Sequence, residues 1–320
     1  MLPSLPLPVI AFAFDPIVNI GGISVRLETL GNAGAIFLAL IAAVLVARRT
    51  VTIGARPPDA GEAEPDDSGR LRSDDLLYIT LAAVPGAVIG GRIGYALNHR
   101  SYVDANPGAL LDVGWGGLEL ALAVVGGLLT ASIVAAMLGA PVGRWMHATI
   151  LPLLFALGAG KLAMVLGGSG QGQPFDGGWA TAYISPGPWG SLAPALPSHP
   201  SQAYEAIATW GVLLVVMAIM AFGGFRRRSG AAFLLGLGLW AVARALVATT
   251  WRDPAVLGDL RMDQVICVGI AAGSFGLLAV VSGVGAARGR RDAGTAPGAG
   301  APPTSSDGLE WPDPADRPRI

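Results

Sequence analysis

The sequence predicts an all-α, polytopic membrane protein with about seven transmembrane helices. Of its 320 residues, 52% are hydrophobic and only 13% are charged, whereas about a quarter of the residues in soluble domains are charged. The mean hydropathy is +0.57. The apolar residues also form seven runs of about 20 residues, the length that a helix needs to cross roughly 30 Å of hydrocarbon. These runs are roughly 30–48, 75–97, 115–139, 146–167, 201–223, 230–250 and 264–286.

The segments outside these runs divide the chain into domains. Residues 1–29 begin apolar but are broken by prolines and lack an early Lys or Arg, so we expect an N-terminal segment on the outer face rather than a cleaved signal peptide. Residues 30–286 form the seven-helix domain. Residues 50–74 and 287–320 are rich in Pro, Gly and charge and have little to bury, which predicts a mobile cytoplasmic loop and a disordered cytoplasmic tail.

Arginines near the helix ends predict the orientation, because cytoplasmic loops carry the excess of Lys and Arg. If the helices alternate in direction, the basic clusters all fall on one side, whereas the loop 168–200 on the other side has no Lys or Arg. The N-terminus is therefore predicted outside and the C-terminus in the cytoplasm. The basic residues on the cytoplasmic side are Arg48, Arg49, Arg144, Arg226, Arg227, Arg228, Arg288, Arg290 and Arg291.

Composition and spacing argue against several other kinds of site. The net charge is −1 and the arginines do not form one basic face, so no nucleic-acid partner is predicted. The single cysteine, Cys267, rules out an internal disulfide and is predicted to be a buried thiol. The His and Cys residues lack metal-ligand spacing, and the chain has no Gly-x-Ser-x-Gly turn. Neither a metal nor a cofactor is predicted.

Four charged residues lie inside the apolar runs: Arg92, Glu119, Lys161 and Arg244. Each costs at least about 2.5 kcal/mol at mid-membrane depth unless it is paired or hydrated. One explanation is that they neutralise one another, for instance Glu119 with Arg92 or Arg244. The other is a cavity with net positive charge, since Glu205 is expected near the outer surface. Such a cavity would suit an amphiphile with an anionic head and apolar tails, and Lys161, the only lysine, would be one of its cations.

The stretch HPSQAYE at 199–205 begins an apolar run. The first turn of a helix tolerates proline, because the amide that proline lacks has no partner there, and serine is a common capping residue. A helix is therefore predicted to start there. His199 would then lie at a helix N-terminus, where the free amides favour anions. Ser201 and Gln202 would provide hydrogen-bonding groups beside it, and Tyr204 would follow in the first turn.

At these residues the chain resembles the bacterial prolipoprotein diacylglyceryl transferases. The resemblance spans roughly residues 14–285 and is carried by GGRIGY at 90–95, by HPSQAYEA at 199–206, and by the helix that holds Arg244, followed by Arg252 and by Met-Asp-Gln at 262–264. It implies seven membrane helices with the N-terminus outside. It also implies transfer of a diacylglyceryl group from phosphatidylglycerol to the thiol of a lipobox cysteine, with release of glycerol phosphate.

Several positions depart from the family pattern. The signature GRxGNFxNGExxGxPT corresponds to residues 160–174, where its arginine is Lys161, its first asparagine Met164 and its acid Ser169. The histidine expected before Gly-Gly-Leu of the third helix is Val125. A glutamate expected late in the sixth helix is Ala248.

The sequence therefore predicts a phosphatidylglycerol–prolipoprotein diacylglyceryl transferase of the bacterial plasma membrane. Its partners would be phosphatidylglycerol, the signal peptide of a prolipoprotein and membrane lipids. With the family histidine absent, His199, Glu205 or Glu119 would accept the thiol proton, and His199 is preferred. The alternatives are a repurposed member that binds anionic phospholipid and, less favoured for want of inverted halves, a transporter. The predicted catalytic residues are His199, Glu205 and Arg244, and the predicted substrate-binding residues are Lys161, Arg92, Ser201, Gln202, Tyr204, Glu119 and Arg252.

Overall fold

A computed structural model describes residues 9–51, 73–111, 117–185, 196–225 and 230–294 of the chain. Among these residues, seven helices are long enough and apolar enough to cross a membrane. The predicted all-α membrane architecture is confirmed, with most helix ends within a few residues of the predicted runs. The short helix α3 (Arg100–Ala105) lies between two of the spans. The seven long helices are α1 (Leu27–Val51), α2 (Ser73–Asn98), α4 (Leu120–Met137), α5 (Val142–Ala163), α6 (Ser201–Ala221), α7 (Ala231–Val247) and α8 (Met262–Gly294).

Short strands precede and connect the helices. Strand β1 (Ile10–Phe12) pairs in parallel with β4 (Thr181–Tyr183) and so joins the N-terminal segment to the loop before α6. Strands β2 (Ile17–Ile20) and β3 (Ile23–Arg26) form a hairpin that leads directly into α1. A second hairpin, β5 (Ala255–Leu257) with β6 (Leu260–Arg261), leads into α8. The segment predicted only as an outer-face stretch therefore contains defined strands.

Glycine brings α2 and α4 into close contact. A Cβ at Gly86 would overlap the Gly126 carbonyl, and a Cβ at Gly90 would overlap the Leu122 carbonyl. Small residues allow such close approach where both helices and lipid are apolar. This contact fixes the end of α2 against the beginning of α4, where Glu119 lies.

The apolar core lies mainly among α5, α6, α7 and α8. Trp240, Ile150, Leu154 and Val216 are almost fully buried there. Cys267 is also fully buried as a free thiol, as predicted. Large side chains packed from several helices hold the polar end groups of these helices in fixed positions.

Three helices extend into the segments that were predicted to be the loop 50–74 and the tail 287–320. Helix α1 continues to Val51 and α2 begins at Ser73, so most of the predicted loop 50–74 lies outside the described residues. Helix α8 continues to Gly294, past the predicted limit at 286, and the remaining predicted tail lies outside them too.

Candidate active site

Charged residues meet at one end of the helices, and most of them lie where the helix dipole favours them. Glu119 caps α4, Asp263 lies in the first turn of α8, and Glu205 follows in the second turn of α6. Lys161 and Arg244 lie in the last turns of α5 and α7. Carboxylates at helix N-termini and cations at C-termini are stabilised by the helix dipoles. We refer to these five residues as the ionic cluster.

Arg244 is the centre of the ionic cluster. Its Nη1 donates to Glu205 Oε1, and its Nη2 donates to Glu119 Oε1 at 3.2 Å. The same Nη2 lies 3.6 Å from Asp263 Oδ1. The Arg244 side chain is only 3% exposed. A guanidinium fork can satisfy several carboxylates at once, which explains an arginine at this position.

Lys161 lies at the more accessible side of the ionic cluster. Its Nζ is 3.1 Å from Glu205 Oε2, and its side chain is 14% exposed. The Trp251 ring contacts both cations, with the Lys161 ammonium 5.5 Å and the Arg244 guanidinium 4.5 Å from its centroid. Lys161 and Arg244 therefore lie in one site, since both bind Glu205.

The expected net positive cavity was wrong, and the contacts show the other alternative, in which the charges neutralise one another, since Arg244 binds Glu119. Glu119 itself precedes α4 and accepts from the amides of Ala121 and Leu122 at 2.6 and 2.7 Å. The ionic cluster has three carboxylates and two cations, because Glu205 is buried within it rather than exposed at the surface.

His199 lies in a group of aromatic side chains. Its ring stacks on Phe175, with centroids 4.0 Å apart, and its Nδ1 is 3.4 Å from the Tyr204 hydroxyl. Trp179 donates from Nε1 to the same hydroxyl at 2.7 Å, and Trp179 itself is 58% exposed. We call Phe175, Trp179, His199 and Tyr204 the aromatic group. It leaves the His199 ring half-buried at the entrance to α6.

Burial lowers the pKa of His199 from its ordinary value of 6.5. Desolvation disfavours the charged imidazolium more than the neutral imidazole. The His199 ring is therefore neutral at neutral pH and has one nitrogen able to accept a proton.

The backbone around His199 is fixed by a close contact of three segments. Gly172 N donates to the His199 carbonyl at 2.8 Å, and a Cβ at Gly172 would overlap the Ser201 hydroxyl and the Thr250 carbonyl. Arg252 Nε donates to the Gly172 carbonyl at 2.6 Å. A side chain at position 172 would separate the loop from α6, so glycine is required there.

Ser201 and Gln202 have protein partners. Helix α6 starts at Ser201 as predicted, but Ser201 does not cap it: its hydroxyl lies 2.6 Å from the Thr250 hydroxyl and is fully buried. Gln202 is 2% exposed and donates to the Tyr183 hydroxyl at 3.5 Å. Their substrate contacts, and those of Arg92, Tyr204 and Arg252, stay predictions.

Sequence reasoning missed several residues of the site. Asp263 begins an apolar run just as Glu205 does, and that position could have identified it. Other contacts had no signal in the sequence, because they join distant segments. They are those of the aromatic residues Phe175, Trp179 and Trp251 and the 2.6 Å hydrogen bond between Glu28 and Ser169.

Comparisons with known proteins agree with this architecture. The family model for "Prolipoprotein diacylglyceryl transferase" matches residues 17–280. The phosphatidylglycerol–prolipoprotein diacylglyceryl transferase of Gluconacetobacter diazotrophicus is 31% identical over 288 residues, covering 85% of this chain and 92% of that protein. The proteins of the same name from Geobacter sulfurreducens and Clostridioides difficile are 32% and 26% identical, over 59% and 63% of this chain and 70% and 77% of theirs. Since the family model and the first of these relatives extend over most of its length, this multi-pass bacterial membrane protein belongs to the prolipoprotein diacylglyceryl transferase family.

Proposed function

We propose that this protein transfers a diacylglyceryl group from phosphatidylglycerol to the cysteine thiol of a prolipoprotein. The observation that carries the proposal is the match of the family model to residues 17–280, together with relatives that bear the name of this reaction. The ionic cluster and the aromatic group add a place for each half of the reaction, since one offers a cation and the other a proton acceptor.

The reaction requires one bond to form and one to break at a glyceryl carbon of the donor. The sulfur attacks this carbon, a C–S bond forms, and the C–O bond to phosphate breaks. Glycerol phosphate leaves with the bonding electron pair, and the thiol proton passes to a base. A thiol with a pKa of about 8.5 is mostly protonated at neutral pH, so the base accelerates the attack.

Lys161 is the proposed contact for the donor phosphate. Its ammonium is the more exposed cation of the ionic cluster and is held to Glu205 by a single contact of 3.1 Å. Arg244 also binds Glu205, so Lys161 can turn to a phosphate without leaving that carboxylate unpaired. A cation close to the departing phosphate stabilises the charge that develops there.

His199 is the proposed proton acceptor. With a hydrogen on Nδ1, the ring donates to the Tyr204 oxygen, and Nε2 carries the lone pair. Glu119 and Glu205 are less suited to the task, because both are occupied by Arg244. The exposed Trp179 and the half-buried His199 ring form the side from which a precursor cysteine would approach.

The orientation follows from the same proposal. The N-terminus lies outside and the C-terminus in the cytoplasm, so that the loop before α6, which carries no Lys or Arg in 168–200, faces the secreted precursor. A reporter enzyme that is active only inside the cell, fused after Arg228, is expected to be active. Activity instead from an outside-only reporter at that position would reverse the orientation.

Complementation tests the function directly. In a strain depleted of its own transferase, this protein is expected to restore growth, and a model precursor is expected to gain the mass of one diacylglyceryl group on its cysteine. Lys161→Met keeps most of the side-chain volume but removes the phosphate contact, and it is expected to raise the KM for phosphatidylglycerol about tenfold or more. An unmodified precursor beside well-expressed, folded wild-type protein would refute the proposal.

The pairing of charges within the site favours one second candidate. Because each member of the ionic cluster contacts an opposite charge within the protein, the chain could bind anionic phospholipid without turning it over. In that case folded protein would retain phosphatidylglycerol, through Lys161, and leave the precursor unmodified.

A further inference from the structure

A carboxylate from the first transmembrane helix reaches the loop that follows α5. Glu28 lies in the first turn of α1, and its Oε2 accepts a 2.6 Å hydrogen bond from the Ser169 hydroxyl, 141 positions later in the chain. A hydrogen bond to an ionised carboxylate is roughly twice as strong as one between neutral groups.

The surroundings of this contact are shaped for the Glu28 side chain. A Cβ at Gly167 would overlap Glu28 Oε2 and lie 2.9 Å from Glu28 Cβ. Any larger residue at 167 would therefore push the carboxylate away from Ser169. Gly168 and Gly170, on either side of Ser169, have φ of +71° and +73°, a conformation that favours glycine.

From Ser169 the contacts lead to the proposed base. A Cβ at Gly170 would lie 3.4 Å from Gln202 Cβ, in ordinary contact distance of α6. Two residues further, the Gly172 amide binds the His199 carbonyl. Glu28 is also close enough to Tyr183 to affect it: burial raises the pKa of Tyr183 to about 12, and the Glu28 charge adds to the rise.

We propose that Glu28 is a positioning residue, whose carboxylate holds the loop after α5 in place through Ser169. It holds residues 168–173 in the conformation in which Gly172 supports His199. Its effect on catalysis rests on the proposed function, but its effect on the loop does not.

Four variants separate the charge from the hydrogen bond. Glu28→Ala removes both, Glu28→Gln keeps an acceptor without charge, and Ser169→Ala keeps the charge without the donor. Glu28→Ala with Ser169→Glu supplies the carboxylate from the other side of the same contact. We expect Glu28→Ala to lower kcat about tenfold or more with KM nearly unchanged, since a displaced base costs rate more than binding. The double variant is expected to recover to within about threefold of the wild type. Glu28→Gln and Ser169→Ala are each expected to fall between wild type and Glu28→Ala.

Hydrogen exchange in nanodiscs provides a readout that does not need turnover. Exchange of the Gly172 amide is expected to rise about tenfold in Glu28→Ala and to return towards the wild-type rate in the double variant. Asp15→Asn is the matched control, because among the described residues the Asp15 carboxylate accepts only from the Ile17 amide in the adjoining segment. It is expected to change neither readout.

The two readouts distinguish failure of the proposed function from failure of the Glu28 proposal. If the wild type transfers nothing but the exchange pattern appears as expected, the proposed function fails and the role of Glu28 stands. If Glu28→Gln matches the wild type, or the double variant exchanges as fast as Glu28→Ala, the carboxylate is not what the site needs and the Glu28 proposal is overturned.

Discussion

Arg244→Met is expected to destabilise the folded protein by about 3 kcal/mol or more, the range measured when one partner of a buried ion pair is removed. Methionine has a similar volume, so the loss comes from charge rather than from a cavity. Three carboxylates, Glu119, Glu205 and Asp263, would lose their common partner at a site where the Arg244 side chain is 3% exposed. Thermal unfolding in detergent, followed by helix content, measures the effect.

A matched control and a conservative variant test whether the destabilisation comes from the buried charge. Arg100→Met is the matched control, because Arg100 and its partner Asp104 are 84% and 72% exposed and 3.8 Å apart, and exposed pairs contribute about 0–1 kcal/mol. Arg244→Lys keeps the charge but loses the guanidinium fork, and it is expected to fall between Arg244→Met and the wild type. An Arg244→Met protein that unfolds at the wild-type temperature would show that the ionic cluster does not hold these helix ends together.

His199→Ala is expected to lower the rate of transfer by about 100-fold or more at pH 7, the usual effect of removing a general base. Because burial lowers the pKa of His199 below 6.5, the wild-type rate should stay level near neutrality and fall as the pH drops through that lowered pKa. Protonation removes the lone pair that accepts the thiol proton. The measurement is the initial rate of precursor lipidation between about pH 5 and 9.

The His199→Ala rate should also depend on pH above neutrality. Without His199 the transfer rate depends on thiolate formed in solution, so it should rise as the pH approaches the thiol pKa of about 8.5. The difference between the wild-type and His199→Ala rates should therefore become smaller at high pH. His99→Ala removes an exposed histidine that stacks on Tyr95, and it serves as the control. A His199→Ala enzyme that keeps the wild-type rate and acid limb would assign the base to another residue.

The helices could be predicted because their signal is local. The seven apolar runs of bilayer length, and the start of α6 at Ser201, follow from neighbouring residues and were confirmed. The close packing of Gly90 was also predictable, since small residues in an apolar helix have few other uses. The strands β1 and β4 were not predicted, because their pairing joins segments about 170 residues apart.

The sequence by itself determined that charged residues lie in the apolar segments, and the tertiary structure decided how they are used. Arg244 could have faced a lipid phosphate, but the ends of α4, α6 and α8 bring three carboxylates to it, so the ionic cluster is not net positive. In the same way, packing of α1 against the loop after α5 decided that Glu28 meets Ser169. The length and polarity of a helix are encoded along the chain. The partner of a charge depends on which helix ends come together, and that is set by packing contacts between residues distant in sequence.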